Sequence, residues 1–241
     1  MTTQNKSIAL TTAPKIPKSV MQTCTTLSNA GFRAWLAGGC VRDMIMLREP
    51  RDWDIATNAP AEKIRTLFPD HLEVGAAFGV FKLKNENIDI AIFRKEEKYS
   101  DHRHPDVVEV GDELTDSARR DFTVNALYYD LNEKKVIDLT GGYKDIGSKI
   151  LRTVGNPMTR FSEDALRLLR AVRFAAQLNF KLERETQAAL KKCNVMLKAI
   201  SRERIREELY RLLESARPVM GLEAVAQSGL WEAIFGVKRV S

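Results

Sequence analysis

Residues 36–57 read LAGGCVRDMIMLREPRDWDIAT. The apolar run AWLA at 34–37 leads into a glycine pair, Gly38 and Gly39. A helical pattern carried by Val41, Ile45 and Met46 follows, then a polar loop, then an acidic strand containing Asp52 and Asp54. Side chains two apart on a strand point the same way, so Asp52 and Asp54 offer two carboxylates to one point. Hard divalent cations such as Mg²⁺ take oxygen ligands of that kind. Glycine lets backbone N–H groups approach a phosphate closely, and the N-terminus of the next helix favours negative charge. A phosphate cradle followed by metal carboxylates reads as nucleotidyl transfer. Each part alone is common, because acidic pairs and Gly-Gly dipeptides both recur in plain turns. The ordered succession of strand, glycine turn, helix, loop and acidic strand separates this stretch from those cases.

Outward from it, residues 32–138 carry short strand-like runs: AWLA, WDIAT, VFKLK, IDIAIF, VVEV and KVIDLT. Helical pieces are interposed at 61–68 and around 123–127. This pattern predicts an α+β domain on a small, mixed or mostly antiparallel sheet flanked by helices. From Ser162 onward the period becomes helical: Leu166, Leu169, Val172, Phe174, Ala175 and Leu178 recur near every 3.6 residues, as do Ile205, Leu209, Leu212 and Leu213. The segment DLTGGYKDI at 138–146 and the turn at Asn156 and Pro157 form the joint. The expected layout is a frayed tail over 1–18, a head over 19–150, an all-helical neck over 151–217 and the start of a helical body over 218–241.

The 241 residues can bury one large core or two smaller ones. No apolar run approaches the length of a bilayer span. Three cysteines, Cys24, Cys40 and Cys193, lie far apart with no C-x-x-C, which fits a reducing cytoplasm and argues against a disulfide framework or zinc site. Net charge is +6, yet residues 151–217 hold 15 Lys and Arg against 8 Asp and Glu, so the remainder is close to neutral. Basic charge gathered in one half suits a phosphate-backbone partner; it equally suits solvated helices carrying i,i+4 ion pairs.

GGCVRD followed by RDWDIAT resembles the signature of the class II tRNA nucleotidyltransferase and bacterial poly(A) polymerase family, within the DNA polymerase β-type superfamily. Four further segments resemble the same family in order: FRKEEKYSDHRHPDVVEV at 93–110, RRDFTVNALYYD at 119–130, EDALRLLRAVRF at 163–174 and ISRERIREEL at 200–209. The likeness covers roughly residues 20–235. It implies a nucleotidyltransferase head, a helical neck, and a reaction in which an RNA 3′-hydroxyl attacks the α-phosphate of CTP or ATP. Asp52 and Asp54 would hold Mg²⁺. Asp89, in IDIAIF, stands where the superfamily has a third acid; on pattern alone it reads equally as an outward-facing strand residue. Arg42 would pair with the triphosphate, because a guanidinium fork suits phosphate oxygens, with Asp43 orienting it or the loop. Arg119, Arg120, Asp121 and Asn125 match the segment that holds ribose and phosphates. Arg170 and Arg173 match nucleotide- or RNA-contacting positions. Residues 99–110 resemble a flexible loop that assists the switch from C to A addition, with His102 where relatives generally have glycine. His102 and His104, in a polar loop with no third ligand, read as plain loop residues.

Asp164 and Arg167, three apart on an expected helix, would share a face. Cytosine and adenine both place an exocyclic amino donor beside a ring-nitrogen acceptor, and guanine and uracil present the reverse. A carboxylate beside a guanidinium therefore accepts C and A and rejects G and U, selecting a base without a nucleic-acid template. The plainer reading has Ser162 capping that helix while Glu163 and Asp164 complement its dipole. The resemblance favours addition of C and/or A to a tRNA 3′ end. Rival readings are poly(A) polymerase, which shares the motifs, a non-catalytic RNA-binding module, and a nucleotidyltransferase acting on an antibiotic or protein.

Overall fold

The computed structural model describes residues 6–10, 15–74, 79–84, 86–97 and 107–237. The chain divides into two compact units, one comprising residues 1–96 and 107–146, the other 97–106 and 147–241.

The first unit is built on an eight-stranded sheet. In chain order its strands are β1 (Lys6–Ala9), β2 (Ala34–Ala37), β3 (Trp53–Thr57), β4 (His71–Val74), β5 (Val80–Leu83), β6 (Ile88–Ile92), β9 (Leu127–Asp130) and β10 (Lys135–Asp138). Their order across the sheet is β1-β10-β9-β2-β3-β6-β5-β4. Every neighbouring pair is antiparallel except β3 with β6, which run parallel. β7 (Arg94–Glu97) and β8 (Val107–Val110) form a separate two-stranded sheet. Helices α1 (Lys18–Asn29), α2 (Gly39–Ile45), α3 (Ala61–Leu67), α4 (Glu113–Arg119) and α5 (Gly142–Ser148) complete the chain of this unit.

Register assigns the two faces of the sheet. Leu36, Ile55 and Tyr129 stand on one face, with Ile90 and Phe81 continuing it, and all of these are buried. Each fully buried side chain of this size contributes about 1.5–3 kcal/mol, enough to fix the register against a one-residue slip. Paired residues Ala37 and Asp54, Asp54 and Asp89, Asp89 and Lys82, and Ala37 and Tyr128 stand on the other face. Ala37, Ala56, Phe93, Tyr128 and Leu139 form a core cluster there, bordered by Trp35 and Ile137.

Several expectations change. The sheet is larger than expected, with eight strands. The frayed reading of residues 1–18 fails for Lys6–Ala9, whose alternate residues pair along β10 as an edge strand. The helical piece around 123–127 is only a 3₁₀ turn at Thr123–Asn125, after which LYYD enters the sheet between β2 and β10. Its apolar run is short enough to suit either form, and two partner strands decide for the strand. VVEV pairs outside the main sheet.

The second unit contains α6 (Pro157–Glu163), α7 (Leu166–Leu178), α8 (Arg184–Cys193), α9 (Arg202–Leu213), α10 (Pro218–Gln227) and α11 (Leu230–Phe235). Asn156 caps α6, its Oδ1 accepting from the Met158 and Thr159 amides ahead of a well-placed Pro157. α7 is buried along most of its length and packs against α9 and α10. Gly221 lets α10 approach closely, since a Cβ there would meet Leu212 at 3.0 Å and Ala176 at 3.1 Å. A two-residue parallel pair, β11 (Ile150–Leu151) with β12 (Lys181–Leu182), means this unit is not entirely helical.

The turn into α5 is fixed tightly to the 3₁₀ segment. Asp138 accepts four backbone N–H groups, from Thr140, Gly141, Gly142 and Tyr143. Asp145 accepts from the Thr123 hydroxyl at 2.7 Å, and a Cβ on Gly142 would lie 2.1 Å from the Thr123 carbonyl oxygen. Gly142→Ala is expected to destabilise the protein by about 2 kcal/mol or more, read by thermal unfolding. Gly147→Ala, whose Cβ would meet nothing within 4 Å, is the matched control with an unchanged or slightly raised midpoint.

Candidate active site

At the end of β2 the chain turns through Gly38, with φ 72° and ψ −127°, and enters α2. An L side chain rarely adopts that backbone, and space forbids one as well. A Cβ on Gly38 would lie 2.9 Å from Arg120 Nη1, 3.6 Å from the Asn125 carbonyl oxygen and 3.7 Å from Asp54 Oδ2. The glycine turn, an acid of β3 and the RRDFTVN segment thus meet at one point.

Asp54 stands on β3 beside Asp89 of the parallel β6. Asp52 lies one residue before β3, exposed, while Trp53 between them is buried. Burial pushes the Asp54 carboxyl up to about 6; Arg120 opposes this, and the charges of Asp89 and Asp52 add to it. Asp89 is held by Lys82, whose Nζ donates to both carboxylate oxygens at 3.0 and 3.3 Å. Among the described residues no three His, Cys, Asp or Glu side chains are grouped to hold a metal ion. The donor chemistry nevertheless fits a hard cation: Asp54 carries a carboxylate that its acidic neighbours destabilise, with Asp52 close enough to feel it.

The cationic side is a network. Arg42, 5% exposed, donates through Nη1 to Asn125 Oδ1 at 2.6 Å and through Nε to Asp43 Oδ1 at 2.9 Å. Asp43 therefore orients Arg42, one of the two roles the sequence left open for it. A Cβ on Gly39 would lie 3.7 Å from Arg42 Nη2. Asn125 Nδ2 donates in turn to Asp121 Oδ1 at 3.2 Å, which also accepts the Phe122 amide. Arg119 and Arg120 are both held by Asp116 of α4. Asp116 was missed by sequence reasoning, and its only local signal is an i,i+3 and i,i+4 spacing to two arginines.

In the second unit Asp164 is not on a helix. It ends α6 with φ −140° and ψ 103°, and α7 begins two residues later. Asp164 and Arg167 therefore do not share one continuous helical face. Asp164 Oδ1 accepts the Leu166 amide at 3.1 Å and both its oxygens face Arg204 Nη2 at 3.3–3.4 Å. Arg167 donates to Glu163 Oε2 at 2.7 Å and to the Arg160 carbonyl at 3.1 Å. Ser162 does not cap α7, since its hydroxyl donates back to the Thr159 carbonyl. Arg204, inside ISRERIREEL, was not singled out from the sequence.

Arg173 is 5% exposed and donates through Nε to Glu208 Oε2 at 2.6 Å, with Gln177 on Nη1 and the Phe174 ring beneath. That buried ion pair ties α7 to α9. Arg170 is more exposed, 3.7 Å from Glu208 and over the same ring. The expected loop at 99–110, including His102 and His104, lies largely outside the described residues.

A mixed sheet carrying paired carboxylates beside an arginine-lined glycine turn is the architecture of a nucleotidyltransferase head. The family profile for the poly A polymerase head domain matches residues 34–152, and that for the "probable RNA and SrmB-binding site of polymerase A" matches residues 179–237. The CCA-adding enzyme of Lactobacillus helveticus is 43% identical over 202 residues, 83% of this chain and 50% of that protein. That of Lactococcus lactis subsp. cremoris is 41% identical over 227 residues, 90% of this chain and 56% of that protein. The crystal structure of the Bacillus stearothermophilus CCA-adding enzyme in complex with CTP superposes with a TM-score of 0.80 at 33% identity, covering 89% of this chain and 53% of that one. The chain belongs to the family of poly(A) polymerases and CCA-adding tRNA nucleotidyltransferases. It spans about half the length of the curated relatives it matches.

The raised Asp54 carboxyl has a sign that can be measured. Its folded pKa lies above the ordinary 3.8, so the native state binds more protons and this group's contribution falls as pH rises from about 4 to about 6. Asp54→Asn is expected to stabilise the metal-free protein near neutral pH by about 1–2 kcal/mol, less than the full shift because Arg120 and residual solvent exposure screen the carboxylate. Thermal midpoints of both proteins across that pH range should converge on the acid side; parallel curves would contradict the assignment.

Proposed function

We propose that this chain catalyses template-independent addition of C and/or A to the 3′ end of tRNA. An RNA 3′-hydroxyl attacks the α-phosphate of CTP or ATP and pyrophosphate leaves. The observation that carries the reading is the meeting of Gly38, Asp54, Arg120 and Asn125 at one point, with Asp52 and Asp89 adjoining.

Gly38 and Gly39 leave room for the triphosphate against the backbone. Arg42, oriented by Asp43 and Asn125, and Arg119 and Arg120, held by Asp116, carry the positive charge that triphosphate oxygens need. Asp121 fixes the amide of Asn125, so Asn125 keeps its oxygen toward Arg42 and its carbonyl toward Arg120. Asp52 and Asp54 are the residues for Mg²⁺, which when bound neutralises the attacking and leaving oxygens and favours the deprotonated hydroxyl. Asp89 completes the acidic set once Lys82 releases it. In the second unit Asp164 and Arg167 select the base, and Arg170 contributes to the basic surface for nucleotide or RNA.

Among the described residues no helix is long and apolar enough to cross a membrane. The three cysteines are free and buried, which supports a cytoplasmic setting. The head profile named for poly A polymerase favours a second reading, poly(A) synthesis.

Incubation with a tRNA ending before CCA, given CTP alone, ATP alone or both, separates these readings by product sequencing. C incorporation followed by a single A is expected, whereas long A tails without C would establish poly(A) polymerase. Asp52→Ala should abolish incorporation, by about 10³-fold or more, with RNA affinity nearly unchanged; an unaltered rate would refute the metal role.

A further inference from the structure

Asp116 is 1% exposed and lies in the first turn of the short helix α4. Its two oxygens are divided between consecutive arginines. Oδ1 accepts from Arg119 Nε at 2.8 Å and Nη2 at 2.6 Å. Oδ2 accepts from Arg120 Nε at 3.3 Å and Nη2 at 3.0 Å, and from the Tyr128 hydroxyl at 2.6 Å. The Tyr128 ring lies under the Arg120 guanidinium, 5.2 Å from its centroid. With Nε and Nη2 engaged, Arg120 has one nitrogen left to direct: Nη1 bonds the Asn125 carbonyl at 3.2 Å and closes on the Gly38 turn.

Consecutive residues at a helix end ordinarily send their side chains apart. Here a single buried carboxylate draws two guanidiniums together, and a tyrosine from the neighbouring β9 fixes that carboxylate. Burial alone would raise the Asp116 carboxyl; Arg120, Arg119 and Tyr128 outweigh it and hold the group at about 2, so it stays charged throughout the working range.

We propose that Asp116, anchored by Tyr128, is the positioning residue that aims Arg120 at the triphosphate beside Gly38, with Arg119 held alongside on the same carboxylate. The inference rests on the nucleotidyl-transfer reading, and Asp116 itself touches no substrate. Charge and aim predict opposite outcomes. Removing the carboxylate adds a net positive charge to the site, which by electrostatics alone tightens binding of a polyanion. If Asp116 acts by aiming, its loss weakens binding in spite of that added charge.

The test is equilibrium dialysis of CTP and ATP against the full chain and its Asp116→Asn form, with thermal unfolding and tRNA affinity measured alongside. Asp116→Asn is expected to weaken triphosphate binding about tenfold or more while tRNA affinity stays level, the size of losing charged hydrogen bonds to a buried partner. Equal or tighter triphosphate binding by folded Asp116→Asn overturns the proposal. Should Asp116→Asn fail to fold, Tyr128→Phe removes one hydroxyl from the same carboxylate at constant shape. A weakening of about threefold or more supports the anchor, and unchanged binding overturns it. An unmodified chain that binds both triphosphates but incorporates neither ends the nucleotidyl-transfer reading while the dialysis still decides the role of Asp116. An unmodified chain that binds no triphosphate overturns both.

Discussion

The left-handed turn at Gly38 is the constraint around which the head is arranged. Strand β2 must stop there and α2 must start, and the backbone has to pass within van der Waals reach of a guanidinium and a carboxylate. A side chain at that position would displace Arg120 from Asn125 and from Asp54 together. Opposite charges gather around it: Asp54 and Asp89 on the sheet with Asp52 just before β3, and Arg42, Arg119 and Arg120 on α2 and at the end of α4. Neither set is neutral by itself, and burying either alone would be costly. Their separation across one glycine leaves an acidic edge for cations facing a basic edge for phosphates.

How much of this could be read from the sequence follows from how local each interaction is. Gly38 and Asp54 are legible because glycine stereochemistry and strand pattern act within a few residues, whereas Asp52, expected on the same strand, lies one residue before β3. The adjacency of Asp89 to Asp54 depends on a parallel pairing between strands far apart in sequence, and a pattern of apolar-acid-apolar only makes it admissible. Asp116 is harder still. An aspartate three and four residues before two arginines is the commonest kind of exposed helical ion pair. Only the fold reveals that it is buried and bonded to the hydroxyl of Tyr128 on β9.

The second unit shows the opposite error. EDALRLLRAVRF has helical periodicity from its first residue, so the break at Asp164 is invisible in the pattern. The break divides the labour of five charged groups: Glu163 takes Arg160 and Arg167, while Asp164 takes Arg204. Had the helix run on, Asp164 and Arg167 would lie within reach of each other and neutralise one another. Their engagement with separate partners keeps a carboxylate and a guanidinium distinct. Arg173 is the contrasting case. It occurs on the same helix in the same basic run, yet its ion pair with Glu208 is sealed, so position in a charged stretch does not by itself indicate an RNA contact.

Asn125 joins these arguments within the head. Its side chain bridges Arg42 and Asp121, and its carbonyl holds Arg120, so it is the single point through which both arginine systems are registered to the glycine turn. The 3₁₀ turn that carries it has little intrinsic stability, being three residues long. It is held from behind by the start of α5, where Asp145 grips Thr123 and Gly142 abuts its carbonyl. That start is itself fixed by Asp138, whose carboxylate gathers four amides. The stiffness of Arg42 and Arg120 therefore derives in part from backbone hydrogen bonds well removed from either side chain. A perturbation of DLTGGYKDI would loosen Asn125 before it changed a charge, because Asp145 and Gly142 hold the turn at Thr123 from behind.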